Sequence, residues 1–379
     1  QFMALAYDDT ADALQLVENW ATAQDNIAQV AFNGKREKTY ADGLREVREK
    51  IVFLTNKKPE EISGVSTGFA NADRFTGGWQ PQDLIVIAAR PGMGKTSIAL
   101  EGALANVKAG VPVGIISAEM SAYQCNARTV AQDTNFHLRQ ITKTGFEKAE
   151  YFGTLDTAIQ RMEKYPLHID DTAHPDISHV MSKARYWKRK HNIGLLIVDY
   201  LQLLKDVSAG NNREQEIASI SRKLKGLAKE LGIPVIALSQ LSRAVETRGG
   251  SKRPMLSDLR ESGAIEQDAD AVLFIYRPEY YYGDNWAEWI DEDVLGDGGD
   301  TEWIFAKYRG GAPNTVIGLK WIGDKTKYID PAEWHKYENH KEQAHYEYRE
   351  KPLPTPTASE AFGPSGYNES VEDKDDTPF

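Results

Sequence analysis

The chain has 379 residues, 41% hydrophobic and 27% charged, the balance of an ordinary globular protein. No run reaches the roughly eighteen apolar residues of a membrane span, the start Gln1-Phe2-Met3 lacks the basic and apolar regions of a signal peptide, and the sole cysteine, Cys125, excludes an internal disulfide or a Cys-based zinc site and suits a reducing cytoplasm. The formal net charge of −11 argues against a basic surface overall. About half of it falls after Pro331 and another acidic cluster runs from Asp284 to Glu302, so any contact with nucleic acid is expected from local basic loops.

The first sixty residues read as helical. Leu44, Val47, Ile51 and Leu54 recur at helical spacing, and Thr39 followed by Asp42 resembles a capping box. That stripe must be buried, either on its own domain or on a neighbouring subunit. From Gly64 the pattern changes to strand-length runs rich in Ile, Val and Leu: Leu84–Ala89, Val113–Ser117, Gly194–Val198 and Val235–Leu238. Near-continuous apolar runs alternating with helices predict a mostly parallel sheet covered on both faces. Leu224, Leu227, Ala228 and Leu231 mark a crossover helix that Gly232 and Pro234 end. Ala271–Tyr276, Trp303–Lys307 and Val316–Trp321 extend the sheet. After Asp330 the chain turns polar, and residues 351–379, rich in Pro, Ser, Thr and acids, are expected to be disordered. The organisation expected is a helical linker over 1–63, an α/β domain over 64–330 and an acidic tail over 331–379.

The central chemical signal is Ala89-Arg90-Pro91-Gly92-Met93-Gly94-Lys95-Thr96-Ser97, which comes after a strand and opens a helix. This is the context of a phosphate-binding loop, with Ala89 in place of the usual first glycine. Gly92 and Gly94 free the backbone to wrap a phosphate, and the helix N-terminus adds partial positive charge. Lys95 is expected on the β- and γ-phosphates of ATP, and the Thr96 hydroxyl on Mg²⁺. Leu195-Leu-Ile-Val-Asp199 places a carboxylate at the end of a buried strand, where it can hold the metal. Tyr200, not Glu, comes next after Asp199, so the base that activates water must come from another strand. Glu119, just beyond Val113–Ser117, is the candidate, against the reading of a solvated loop Glu. Gln240 can sense the γ-phosphate or simply end a strand.

These segments together resemble the DnaB-type replicative DNA helicases of bacteria and phages. The resemblance runs in order from about Gly64 to Asp330. It rests on Ser66-Thr-Gly-Phe-Ala-Asn-Ala-Asp-Arg-Phe-Thr-Gly-Gly-Trp, the Ala-Arg-Pro loop itself, Ser117-Ala-Glu-Met-Ser121, Asp199-Tyr-Leu-Gln-Leu203, Ser239-Gln-Leu-Ser-Arg243 and Ser257–Asp270. It implies a RecA-like fold, a homo-hexamer and 5′ to 3′ movement on single-stranded DNA. It makes Glu119 the catalytic base, places Arg128 at the nucleotide and couples Gln240 to the γ-phosphate. Lys307 and Arg309 match a Lys-x-Arg hairpin that reaches the neighbouring subunit's site. The hairpin departs from the family at Gly310-Gly-Ala-Pro-Asn314, which leaves its shape open.

Arg243, Arg248, Lys252 and Arg253 form a basic loop around Gly249-Gly250. In the family this loop faces the ring channel, and Arg260, Glu261 and Gly263 match a loop that tracks the DNA backbone. Binding independent of sequence and sensitive to salt is expected. No segment matches the family's globular N-terminal domain, which contacts primase, so truncation or a core that works without that domain is expected. The end Glu372-Asp-Lys-Asp375-Asp376-Thr-Pro378-Phe379 resembles the acidic tip of bacterial single-stranded-DNA-binding protein, whose partners it could share; an acidic solubilising tail is the plainer reading. The whole predicts a cytoplasmic, Mg-ATP-dependent helicase with single-stranded DNA, primase and a helicase loader among its partners. The rivals are a RecA-like recombinase or DNA-dependent ATPase without unwinding, and a non-catalytic DNA-binding ring or adaptor.

Overall fold

The computed structural model describes residues 39–334, apart from 59–60, 210–211, 260–262, 290–294 and 296–298. The proposed disordered tail, the acidic tip, Arg260 and Glu261 lie outside the described residues. The chain divides into two units, residues 1–65 and 66–379.

In the first unit, helix α1 (Tyr40–Asn56) opens on the capping box read from the sequence: the Thr39 hydroxyl accepts from the Asp42 amide and the Asp42 carboxylate accepts from the Thr39 amide. Its apolar stripe covers nothing within the helix. Leu44, Val47, Ile51 and Leu54 are 42–58% exposed, and no residue of α1 is buried.

The second unit contains, in order, α2 (Ala70–Thr76), β1 (Leu84–Ala89), α3 (Lys95–Lys108), β2 (Val113–Ser117), α4 (Ala122–Asp133), α5 (Glu150–Met162), β3 (Leu167–Asp170), α6 (Ile177–His191), β4 (Leu195–Asp199), α7 (Arg213–Leu231), β5 (Val235–Gln240), α8 (Ala244–Thr247), α9 (Gly263–Asp268), β6 (Ala271–Tyr276), α10 (Pro278–Tyr282), β7 (Thr301–Tyr308), β8 (Thr315–Ile322) and β9 (Lys327–Ile329). The strands make one sheet in the order β3-β2-β4-β5-β1-β6-β7-β8-β9. The first six of these positions pair in parallel, and β7, β8 and β9 add antiparallel.

The apolar runs predicted the strands well because parallel strands are buried on both faces. β1, β2, β4 and β6 contain no exposed residue. One face packs on α6 and α7 through residues such as Val198, Leu224, Leu227 and Ala237. Helix α7 is capped by Asn212 and ends at Gly232, whose φ of 67° lies in the left-handed region that glycine adopts without strain. An aromatic cluster joins α2 to β7: Phe69 and Trp79 meet Trp303 edge-on at 5.4 and 6.0 Å, and Phe75 meets Phe305 at 5.3 Å.

This order decides where chemistry can occur. β1 and β4 are separated by β5, and the chain crosses from one side of β1 to the other at β6. The carboxyl ends of β1, β4 and β5 therefore line one edge of the sheet, the usual ligand edge of an open α/β sheet.

Candidate nucleotide site

β1 delivers the loop Arg90–Gly94 and α3 begins at Lys95. Gly92 and Gly94 have φ of 83° and 79°, and Gly94 also has no room for a side chain: a Cβ there would lie 2.9 Å from Tyr328 and 3.0 Å from Trp321. The helix start has no side-chain cap, so the first amides of α3 are left for a ligand.

β4 brings Asp199 to the same place. The Thr96 hydroxyl donates to Asp199 Oδ2 at 2.6 Å, and Lys95 Nζ lies 3.5 Å from Asp199 Oδ1. The Lys95 ammonium also sits 4.0 Å from the centre of the Tyr200 ring. Burial pushes the Lys95 pKa below its ordinary value, while Asp199 and Glu119 act in the opposite direction. Asp199 is 2% exposed, and its Oδ1 accepts no hydrogen bond. A hydroxyl beside a buried carboxylate whose second oxygen is met only by the Lys95 ammonium fits a hard divalent cation. Among the described residues no group of three or more His, Cys, Asp and Glu is placed to hold a metal. Mg²⁺ does not require one, because it keeps water and takes phosphate oxygens as ligands.

Glu119 joins this cluster from β2. Ser117 is in register with Asp199, and the Ala118 amide donates to the Asp199 carbonyl at 2.7 Å. The exposed Glu119 side chain acts electrostatically on both Lys95 and Tyr200. Gln240 is in register with Ala89, one residue from the loop. Gln202 clamps its main chain, accepting from the Gln240 amide at 3.1 Å and donating to its carbonyl at 3.2 Å. Ser97 and Met93 are buried, and Arg128 is half-buried on α4. Pro91 and Gly92 shape the loop. The Arg90 side chain turns away from it, to Glu246 at 2.8 Å and the Leu241 carbonyl at 2.7 Å, so only the backbone of Arg90 contributes to the loop.

Five neighbours of the loop escaped the reading of the sequence: Tyr200, Gln202, Arg277, Trp321 and Tyr328. The first two stood inside Asp199-Tyr-Leu-Gln-Leu203, where the residues just past the carboxylate were a signal that could have found them. Arg277 ends the buried run of β6 at the loop edge. Its guanidinium stacks on Trp321 at 4.7 Å and reaches the Gly92 carbonyl at 3.5 Å. Trp321 and Tyr328 gave no local signal.

Lys307 and Arg309 lie elsewhere. β7 runs antiparallel to β6, so its end meets the start of β6. The Arg309 amide donates to the Asp270 carbonyl at 2.9 Å, and the Asp270 amide to the Leu84 carbonyl at 2.9 Å. Arg309 thus stands where β1 begins, and Lys95 where it ends. Five strand steps separate Leu84 from Ala89, about 17 Å. Lys307 Nζ bonds the Glu266 carbonyl, and burial lowers its pKa from the ordinary value.

The basic loop after β5 is more tightly held than its Gly-Gly composition suggested. Arg248 pairs with Asp258, Arg253 Nε with Glu302 Oε2 at 2.6 Å, and Lys252 Nζ with the Glu246 carbonyl at 3.0 Å. Arg243 is exposed at the start of α8, and Gly263 is exposed at the start of α9. The helices of the described residues include none long and apolar enough to cross a membrane.

Comparison with known proteins matches residues 64–330 to the DnaB-like helicase C-terminal domain. The replicative DNA helicase DnaB of Geobacillus stearothermophilus is 42% identical over 296 residues, covering 77% of this chain and 62% of the relative. The replicative DNA helicase DnaC of Bacillus subtilis is 40% identical over 316 residues, covering 81% and 66%. The chain thus spans about two thirds or less of the length of these curated relatives. Among solved structures, an isolated ATPase domain superposes with a TM-score of 0.69 at 36% identity, over 78% of this chain and 99% of that one. A DnaB-like replicative helicase studied with primase gives 0.66 at 34% identity, over 84% and 74%. The parallel sheet, its phosphate loop and these matches give one answer: the chain belongs to the RecA-like DnaB helicase family, through its C-terminal domain.

Proposed function

We propose that this chain is an Mg-ATP-dependent DNA helicase motor of the cytoplasm, working as a homo-hexameric ring that moves 5′ to 3′ on single-stranded DNA and unwinds duplex. The observation that carries the reading is the convergence of Lys95, Thr96 and Asp199 in one buried cluster, with Glu119 at its open side. In this reading the α3 amides and Lys95 hold the β- and γ-phosphates, and Thr96 and Asp199 hold Mg²⁺, which neutralises phosphate charge when bound. Glu119 orients the attacking water and takes its proton. Arg128 lies toward the nucleotide, and the Arg277–Trp321 stack beside Gly92 offers a flat face for the base. Gln240 reports the state of the γ-phosphate to the chain after β5.

Arg309 and Lys307 act on the site of a neighbouring copy. Their separation from their own loop by the length of β1 supports a role in trans, and an arginine there stabilises charge developing in the transition state. Residues 1–63 form a subunit-docking segment, consistent with the uncovered stripe of α1. Residues 64–330 form the motor, and 331–379 an acidic tail. Arg243, Arg248, Lys252, Arg253, Arg260, Glu261 and Gly263 contact the DNA backbone, with the ion pairs of Arg248 and Arg253 exchanged for phosphates. Primase and a loader are proposed partners, as are proteins that bind an Asp375-Asp376-Thr-Pro378-Phe379 tip.

The test is unwinding of forked DNA by wild type and Glu119→Gln at matched salt. The variant should bind ATP and lose about 10²–10⁴-fold in turnover. Wild type that hydrolyses ATP on single-stranded DNA without unwinding would favour the recombinase-like alternative. No DNA-stimulated hydrolysis at all would favour a non-catalytic ring.

A further inference from the structure

At the edge of the sheet away from the phosphate loop, charge is gathered on one residue. Asp270 stands just before β6 and is 6% exposed. Its Oδ2 accepts from the Leu84 amide at 2.8 Å and pairs with Lys225 of α7. Its Oδ1 accepts from Arg309 Nη1 at 2.9 Å, while its carbonyl accepts from the Arg309 amide at 2.9 Å. A second carbonyl, that of Gln267, accepts from Arg309 Nη2 at 3.2 Å. One buried acid therefore grips both the main chain and the guanidinium of Arg309.

Stability alone does not call for this arrangement. A buried carboxylate must be paired, and Lys225 and the Leu84 amide already do so. Arg309 is in turn 57% exposed and needs no partner for its own solvation. What the contact achieves is orientation. It restrains a long side chain that would otherwise sample many rotamers, and leaves the outer face of its guanidinium open. A donor aimed in advance costs no reorganisation when charge develops.

We propose that Asp270 is the positioning residue for Arg309, holding its guanidinium at the sheet edge in the orientation presented to a neighbouring copy's nucleotide. The proposal rests on the trans-acting reading of Arg309 given above. Asp270 stands at the opposite end of β1 from the phosphate loop, and its proposed action is through the arginine.

The test is a double-mutant cycle on DNA-stimulated ATP turnover by the full chain, with Asp270→Asn, Arg309→Ala and the double variant, alongside ATP affinity and thermal unfolding. Asp270→Asn should lower kcat by about 10²-fold, as a misplaced group does, with KM and ATP affinity unchanged. In the Arg309→Ala background it should change nothing further. Wild-type kcat for Asp270→Asn would overturn the proposal. So would an equal slowing in both backgrounds, which marks a merely structural role. If Asp270→Asn fails to fold, Asp270→Glu keeps the charge but moves it by one methylene. It must then slow the otherwise wild-type chain and leave Arg309→Ala unaffected. If Arg309→Ala itself turns over at the wild-type rate, the finger reading falls first and takes this proposal with it. Failure at Asp270 alone leaves the finger standing.

Discussion

At the edge where β1, β4 and β5 end, Lys95, Thr96 and Asp199 have mainly one another for partners: an ammonium that burial destabilises, a carboxylate oxygen met only by that ammonium at 3.5 Å, and a helix start with no side-chain cap. At the edge where β1 and β6 begin, Asp270 is bound by Leu84, Lys225 and Arg309. On the function proposed above, a polyphosphate and a cation would complete the first cluster. The second is complete without a ligand, and what it presents outward is one aimed positive charge. The same strand carries both, about 17 Å apart, so on the function proposed above a single copy would hold half of two different sites. That is the arrangement expected of a motor whose sites form between subunits.

The largest effect should come from removing the outward charge. Arg309→Ala should lower DNA-stimulated turnover by about 10³–10⁵-fold while ATP binding, measured directly, stays near wild type. Glu119→Gln, at the opposite edge, should cost somewhat less and act on the copy's own site. Mixing the two inactive variants sharpens the contrast: rings that pair an intact Glu119 with a neighbour's intact Arg309 should regain turnover, and mixtures that stay dead would break the two-half-sites picture.

A change between the edges should favour neither. Leu224 is fully buried against the sheet, so Leu224→Ala should cost about 2–5 kcal/mol in denaturant unfolding. Turnover per folded molecule should hold. Selective loss of hydrolysis would mean that the core is coupled to one edge more than the other.

The smallest effect concerns Asp83, beside Asp270. Burial lifts its pKa from 3.8 to about 6, with Asp270 adding to the rise and Lys225 and Arg309 opposing it. The folded chain therefore binds this proton more tightly than the unfolded chain. Its contribution to stability falls as pH climbs from about 4 to 6 and remains a cost above that. Asp83→Asn should be more stable than wild type at pH 7 to 8, with the advantage shrinking as pH falls toward 4. A constant difference across that range would show that Asp83 is not the titrating group.

The sequence was most legible where strands are buried on both faces. Leu84–Ala89 and Ala271–Tyr276 were bounded to the residue, because continuous burial leaves a continuous apolar run. β3 (Leu167–Asp170) and β9 (Lys327–Ile329) were missed. Both lie at the ends of the sheet, β9 spans three residues, and their partial burial leaves no clear period. In the basic loop, the ion pairs of Arg248 and Arg253 had no local signal, because their partners Asp258 and Glu302 lie 10 and 49 residues away.

By itself, then, the sequence determined the phosphate loop, the carboxylate that faces it and the alternation of strand and helix, because each is a local matter of residue type and spacing. Only the tertiary structure decided that Asp83, Lys225, Asp270 and Arg309 share one edge, and that Trp321 and Tyr328 close over Gly94 at the other. The first four meet because β5, β1, β6 and β7 lie side by side in an order that is not their order in the chain. Hydrophobic burial selects that order over the whole sheet at once, and no window of sequence contains it.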